Sequence, residues 1–266
     1  MTREDKYRFD AKGASVHMKL DGKVCLITGG TKGIGAAAAV KLAQLGANIV
    51  INGRNADVKA ESVKTQIEGL GRKCLVHIAD VSKSADAVNL VNAAATAMGG
   101  VDVLIHSAGG GVPGTLLDVD PQAWYRAFDV HVHAAFHLCR ASIPLMKRKK
   151  EGAIILISSV AGLRGCPGAF SYGVVKGALP QFARALARDL GDENIRVNCV
   201  SPGIIRTRFH DVLTPEQVKN NIEKRIPLHR EGTTQEVAEV IATLVSNDFI
   251  TGENVVIDGG MSMRIV

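Results

Sequence analysis

Lys23-Val-Cys-Leu-Ile-Thr-Gly-Gly-Thr-Lys-Gly-Ile-Gly35 is the stretch on which the fold turns. Lys23 to Thr28 is a short apolar run bounded by turn signals, which fits a strand buried on both faces of a parallel sheet. Gly29, Gly30, Thr31, Lys32, Gly33, Ile34 and Gly35 follow at once, and Ala36 to Leu45 reads as helix. Glycines suit such a junction because the backbone turns sharply and its amides approach a phosphate at the positive end of a helix. The spacing Gly29, Gly33, Gly35 differs from G-x-G-x-x-G, so glycines serving only a tight turn stay an open alternative at this point.

Working outward, strands alternate with helical patterns. Strands are expected at Lys23 to Thr28, Ala47 to Asn52, Lys73 to Ala79, Val101 to Ser107, Ala153 to Ser158, Ile195 to Ser201 and Val255 to Asp258. Helices are expected at Gly33 to Leu45, Ala56 to Glu68, Ser84 to Ala97, Pro121 to Lys147, Ala169 to Leu190 and Thr234 to Val245. Such alternation implies an α/β protein with one doubly wound (Rossmann) parallel sheet and helices on both faces. Residues 1–19 are polar and aperiodic, so a flexible extension is expected there, followed by one domain over 20–266. The segment 204–231 is longer than an ordinary connection, and at the ligand end of a sheet such insertions are lids or binding loops.

A second motif lies in the later half. Tyr172-Gly-Val-Val-Lys176 sits in a helical pattern, where residues four apart share a face. An unperturbed tyrosine is a poor acid at neutral pH, with a pKa of roughly 10, and an adjacent ammonium is expected to lower it. Ser159 ends the apolar run Ala153-Ile-Ile-Leu-Ile-Ser-Ser159, so its hydroxyl is expected at the carboxyl end of a strand, where open α/β sheets bind ligands. Each residue alone also fits an ordinary helix or strand end.

Composition narrows the function. The chain of 266 residues is 46% hydrophobic, enough for a sheet covered on both faces. No apolar run reaches the roughly 18 residues of a membrane span and no secretory leader opens the chain, so a cytoplasmic protein without a membrane partner is expected. Cys25, Cys74, Cys139, Cys166 and Cys199 show no C-x-x-C pair and read as reduced core residues. The net charge of +6 invites nucleic acid, but aromatic content is only 4%, with no interleaving for base stacking. The basic run Lys147-Arg-Lys-Lys150 reads as a solvated helix end. Contact with an acidic carrier or phosphorylated substrate is its functional alternative.

The chain resembles the short-chain dehydrogenase/reductase family from about Leu20 to Gly260. The resemblance rests on Thr28-Gly-Gly-Thr-Lys-Gly-Ile-Gly35, Asp80-Val81, His106-Ser-Ala-Gly109, Ser159, Tyr172 with Lys176, Ser201-Pro-Gly203 and Thr207, in the family's order. The ketoacyl-carrier-protein reductase and polyol or sugar dehydrogenase branches look similar. The resemblance implies a cofactor site of Gly29, Thr31, Lys32, Gly33, Ile34 and Gly35, with Asp80 and Val81 at the adenine. It also implies that Ser107, Ala108 and Gly109 line the adenosine half and that Pro202, Gly203, Ile205 and Thr207 cradle the nicotinamide. Tyr172 and Lys176 are implied to serve both cofactor and chemistry: Tyr172 as general acid or base, Lys176 as its activator and ribose ligand, Ser159 as partner of the substrate oxygen. A homotetramer built through Pro121 to Lys147 and Ala169 to Leu190 is implied as well.

The second strand places Gly53 where an NAD enzyme would carry an acid for the ribose hydroxyls. Arg54 follows and Lys32 precedes the second motif glycine, so two cations can converge on a 2′-phosphate. NADP is therefore the expected cofactor, with NAD the alternative if both are surface cations. Two departures from the family's pattern stand out. The asparagine usual in the long helix is His131, and Asn-Asn-Ala-Gly is His106-Ser107-Ala108-Gly109. An imidazole can donate and accept in a proton relay and titrates near neutrality, so His131 is expected either to add an ionisation to turnover or only to fill space. His133 and His137 are four apart on a helix, but without further ligands no metal site is expected. The expected activity is NADP(H)-dependent hydride transfer between nicotinamide and a small-molecule carbonyl or secondary alcohol. An NAD-dependent alcohol or polyol dehydrogenase and a non-catalytic cofactor-binding sensor are the alternatives.

Overall fold

The structure is a computed structural model that describes residues 17–55, 58–207 and 213–263. Its described residues form a seven-stranded parallel sheet of order β3-β2-β1-β4-β5-β6-β7. The strands are β1 (Val24–Thr28), β2 (Asn48–Gly53), β3 (Cys74–Ile78), β4 (Val103–His106), β5 (Gly152–Ile157), β6 (Ile195–Pro202) and β7 (Asn254–Ile257). The helices are α1 (Gly33–Gln44), α2 (Val58–Gly69), α3 (Ser84–Met98), α4 (Pro121–Phe128), α5 (Ala134–Lys149), α6 (Phe170–Leu190), α7 (Pro215–Asn220) and α8 (Thr234–Ser246). The order reverses between β1 and β4, which opens a crevice at their carboxyl ends.

The continuous apolar runs are explained by two cores, one on each face. Cys25 and Ile27 of β1, Ile49 and Ile51 of β2, and Val103 and Ile105 of β4 pack toward α1 and α8. Leu26, Val50, Leu104, Ile154 and Leu156, their alternating neighbours, pack toward α3, α5 and α6. Period-two alternation holds, but both faces are dry, so both sets must be apolar.

The end of the sheet remote from the crevice is tied by a buried carboxylate. Asp102 accepts Val24 N at 2.8 Å and Lys149 Nζ at 2.6 Å, while its own carbonyl accepts Ala153 N at 3.1 Å. It thus joins β1, β4, β5 and α5. Lys147 pairs with Glu193 at the same end. The basic run is accordingly a paired helix terminus away from the crevice, and the alternative of greeting an acidic carrier or phosphorylated substrate at the site is not supported by where it lies.

Four expectations change. The helix expected over Pro121 to Lys147 is interrupted by a wider turn at Asp129–His133, which releases backbone carbonyls from the ordinary pattern. The expected extension 1–19 lies outside the described residues up to residue 16, but Met18 is buried, with its N–H on Ser246 O at 2.9 Å, so the folded body starts before residue 20. The segment 204–231 contains α7, started by a capping box between Thr214 and Gln217 with Pro215 in the first turn. Residues 208–212 lie outside the described ones. All five cysteines are free; Cys25, Cys139 and Cys199 are buried, whereas Cys166 is exposed rather than in the core.

Candidate active site

The carboxyl ends of β1, β4, β5 and β6 bring the motifs together. At β1, Thr28 acts as a hub: its hydroxyl accepts Ser107 N and Ala108 N, each at 3.2 Å, and lies 2.9 Å from His106 Nδ1. His106 Nε2 lies 3.1 Å from Val130 O, a carbonyl that can only accept, so Nδ1 is the lone-pair nitrogen and Thr28 donates to it. Gly29 has φ +64°, and a Cβ there would lie 2.9 Å from Ala108 Cα, so the glycine-rich loop and Ser107–Gly109 can approach closely. Thr207, in the segment after β6, reaches over this loop, with Cγ2 3.7 Å from where a Gly33 Cβ would stand.

The residues present fit a dinucleotide. Lys32, at the start of α1, makes no side-chain capping bond, and the first turn holds no acidic residue. Backbone N–H groups at the positive end of the helix are therefore left for an anion. Lys32 and Arg54 are both exposed at this end of the sheet. Asp80 is held below the usual carboxylate range, chiefly by the Ser82 hydroxyl, and keeps the loop after β3 in place beside a buried Val81. Pro202 ends β6, Gly203 donates to Ile257 O at 2.9 Å, and Ile205 is buried and paired with Gly232 in a parallel bridge.

Ser159, Tyr172 and Lys176 come from β5 and α6. Ser159 caps the short turn Val160–Gly162 through Ala161 N, and it hydrogen-bonds Tyr172. Lys176 is buried, with Nζ donating to Ile157 O at 2.7 Å and lying 5.6 Å from the Tyr172 ring centroid. Ser158 donates to Lys176 O at 2.6 Å, tying α6 to β5. The close fit has a backbone cause: a Cβ at Gly162 would stand 2.6 Å from Gly177 N and from Lys176 C. Burial lowers the Lys176 ammonium to about 8. The expectation that Lys176 pulls the phenol down is not met. Burial raises Tyr172 above its ordinary value, and the effect opposing it is the Ser159 hydrogen bond.

His131 lies in the wide turn after α4 and is 1% exposed, its ring edge-on to Tyr172 with centroids 5.9 Å apart. Nε2 lies 3.1 Å from Gly110 O, so it carries the proton, and Nδ1 is a buried acceptor without a partner among the described residues. A Cβ on Gly109 would stand 2.0 Å from His131 Cε1, so this histidine requires a glycine opposite. Burial, then the Lys176 charge, lowers His131 to about 2. The expected ionisation near neutrality is thereby overturned. Among the described residues no group of three or more His, Cys, Asp or Glu could hold a metal ion, and His133 pairs with Asp129 instead.

Thr28, Ser158 and His106 escaped the sequence reading as working parts. Each lay inside a quoted motif, but their roles depend on partners distant in the chain.

A parallel sheet with a β1/β4 switch point and a glycine-rich loop opening α1 is the framework of a dinucleotide-linked enzyme. The family model described as Enoyl-(Acyl carrier protein) reductase matches residues 29–262. "Dehydrogenase/reductase SDR family member 4" of Pongo abelii is 34% identical over 262 residues, covering 97% of this chain and 94% of the relative. 3-oxoacyl-(acyl-carrier-protein) reductase FabG of Chlamydia muridarum is 34% identical over 242 residues, covering 90% and 97%. Among solved structures, a putative short-chain alcohol dehydrogenase from Sinorhizobium meliloti superposes with TM-score 0.87 at 31% identity, covering 93% of this chain and 99% of that one. L-Sorbose reductase from Gluconobacter frateurii, complexed with NADPH and L-sorbose, gives TM-score 0.87 at 29% identity with the same coverage. The chain belongs to the short-chain dehydrogenase/reductase family, and it is an oxidoreductase of the CH–OH/C=O type that uses NAD(P).

Proposed function

We propose that the protein is an NADP(H)-dependent carbonyl reductase in which Tyr172 is the general acid, with secondary-alcohol oxidation as the reverse reaction. The observation that carries this reading is the convergence of Ser159, Tyr172 and Lys176, with the phenol hydrogen-bonded to Ser159 and Lys176 buried beside it. The nicotinamide, when bound, supplies or takes the hydride. Tyr172 gives its proton to the substrate oxygen in reduction, and a phenol kept protonated by burial is the form a donor needs. Ser159 donates to the same oxygen as negative charge gathers on it. Lys176, fixed through Ile157 O, places positive charge near the phenol and holds the ribose. His131 orients a proton path to Lys176 through its uncommitted Nδ1.

The NADP choice is supported by Lys32 and Arg54 and by a β2 end without an acid; an NAD-linked dehydrogenase would lack the carboxylate its ribose normally meets. A homotetramer through α4, α5 and α6 is part of the same reading, supported by exposed Tyr125, Phe136 and Val174 on those helices. So is a cytosolic location, supported by the free cysteines.

Replacing Tyr172 with phenylalanine tests the acid. Turnover of a reducible ketone is expected to fall by at least about 10²-fold while NADPH binding, followed by fluorescence titration, stays close to wild type. Undiminished turnover would show that the proton comes from elsewhere.

A further inference from the structure

We infer that Thr31 is the residue that bars NAD's ribose partner from this site, because its side chain fills the space any side chain at position 53 would need. The inference rests on the NADP reading above and names the device that enforces it. A Cβ at Gly53 would stand 2.7 Å from Thr31 Cγ2 and 3.1 Å from Thr31 Oγ1. The first distance is shorter than real Cβ contacts tolerate, so a carboxylate at the end of β2 cannot enter while Thr31 keeps its place.

Neither backbone is free to retreat. Gly53 pairs with Ile78 in β3, and its carbonyl accepts Ala79 N at 3.1 Å. The Asn52 amide nitrogen braces the same corner by donating to the carbonyls of Gly53, His77 and Ala79. On the other side, Thr31 is 6% exposed and follows Gly30, whose N–H is fixed to Asn52 O at 2.9 Å. Gly30 itself is wedged against Ile51, since a Cβ there would meet Ile51 Cγ2 at 2.8 Å. The glycine-rich loop is therefore pinned to β2, and Thr31 stands directly over Gly53. Removing Cγ2 and Oγ1 would clear the obstruction, because Thr31 Cβ lies at an ordinary 3.5 Å.

Specificity here is consequently a property of a pair. Lys32 and Arg54 attract a 2′-phosphate, while Thr31 excludes the acid that would repel it and serve a 2′-hydroxyl. A single Gly53→Asp change would displace Thr31 and disturb the loop that meets the phosphates, weakening both cofactors instead of exchanging them.

The test measures dissociation constants of NADP and NAD for the full chain, by calorimetry, in the wild type, Gly53→Asp, Thr31→Ala and the double variant. The expected result is that Gly53→Asp gains no NAD affinity when made alone but gains about tenfold or more when made with Thr31→Ala, a coupling of the size seen between touching residues. Equal NAD gain with and without Thr31→Ala, or gain in neither, overturns the inference. If Gly53→Asp does not fold, Gly53→Ala replaces it: its melting temperature is expected to drop by several degrees, and by much less in the Thr31→Ala background. Equal drops overturn the coupling. An NAD preference in the wild type would sink the NADP reading alone, since the melting comparison uses no cofactor.

Discussion

The imidazole of His131 has one committed nitrogen and one uncommitted nitrogen, and that asymmetry sets what it can do. Nε2–H is spent on Gly110 O, and with a value near 2 the ring stays neutral through any working pH. Nδ1 can therefore accept a proton-bearing partner but cannot hold a proton of its own, so His131 acts as a fixed acceptor. An asparagine amide can fill that role, and alanine cannot. His131→Asn is expected to keep most of the turnover with an unchanged pH-rate profile, and His131→Ala to lose about tenfold or more. A profile limb that disappears in the asparagine variant would show that the ring does titrate. The family's motif order points to His131, and the fold sets its ring edge-on to Tyr172. Its ionisation is illegible there, because burial against Lys176 and Gly109 is a property of the packed protein.

At the level of elements, the site depends on how closely the turn Val160–Gly162 lies on α6. Gly162 faces Gly177, and a Cβ on Gly173 would stand 3.0 Å from Ala161 O, so backbone meets backbone where side chains would normally intervene. Ser159 reaches Tyr172 because of that contact. Gly162→Ala is expected to cost about 1–3 kcal/mol by overpacking and to lower kcat by shifting Ser159, with cofactor affinity little changed. Gly165→Ala, three residues on in open space, is the matched control for thermal melting and kinetics. Equal behaviour of the two variants would remove the close contact from the account. The seven strands are legible from apolar runs and turn residues, because burial on both faces writes itself into composition. The wide turn at Asp129–His133 is not legible, since one of its carbonyls, Val130 O, is taken by His106 from β4. The start of α7 was legible: Thr214-Pro-Glu-Gln217 is a capping box, hidden only by reading 204–231 as one loop.

For the whole molecule, the two buried histidines tie stability to pH. Burial and the Lys176 charge lower His106 to about 4 and His131 to about 2, whereas both titrate near 6.5 once unfolded. Above that value neither state binds the protons. Below it the unfolded chain takes up two and the folded protein takes none until about 4, so stability falls with falling pH. The slope is about 1.4 kcal/mol per proton per pH unit, and it approaches twice that where both rings are protonated only in the unfolded chain. Urea midpoints measured across that range are expected to drop accordingly, and His131→Asn to flatten the slope by about half. A pH-independent midpoint would mean that both rings are protonated in the fold. The Asp102 tie bears on another property, the distribution of local opening. It binds three strands and α5 at the end of the sheet farthest from the crevice, whereas the loops that follow β1, β4, β5 and β6 converge at the other end. Fluctuations that admit and release ligand can therefore proceed as fraying from one side, leaving the opposite edge closed. The molecule breathes like a book held at its spine, and deuterium is expected to enter the amides near Asp102 only when the whole chain unfolds.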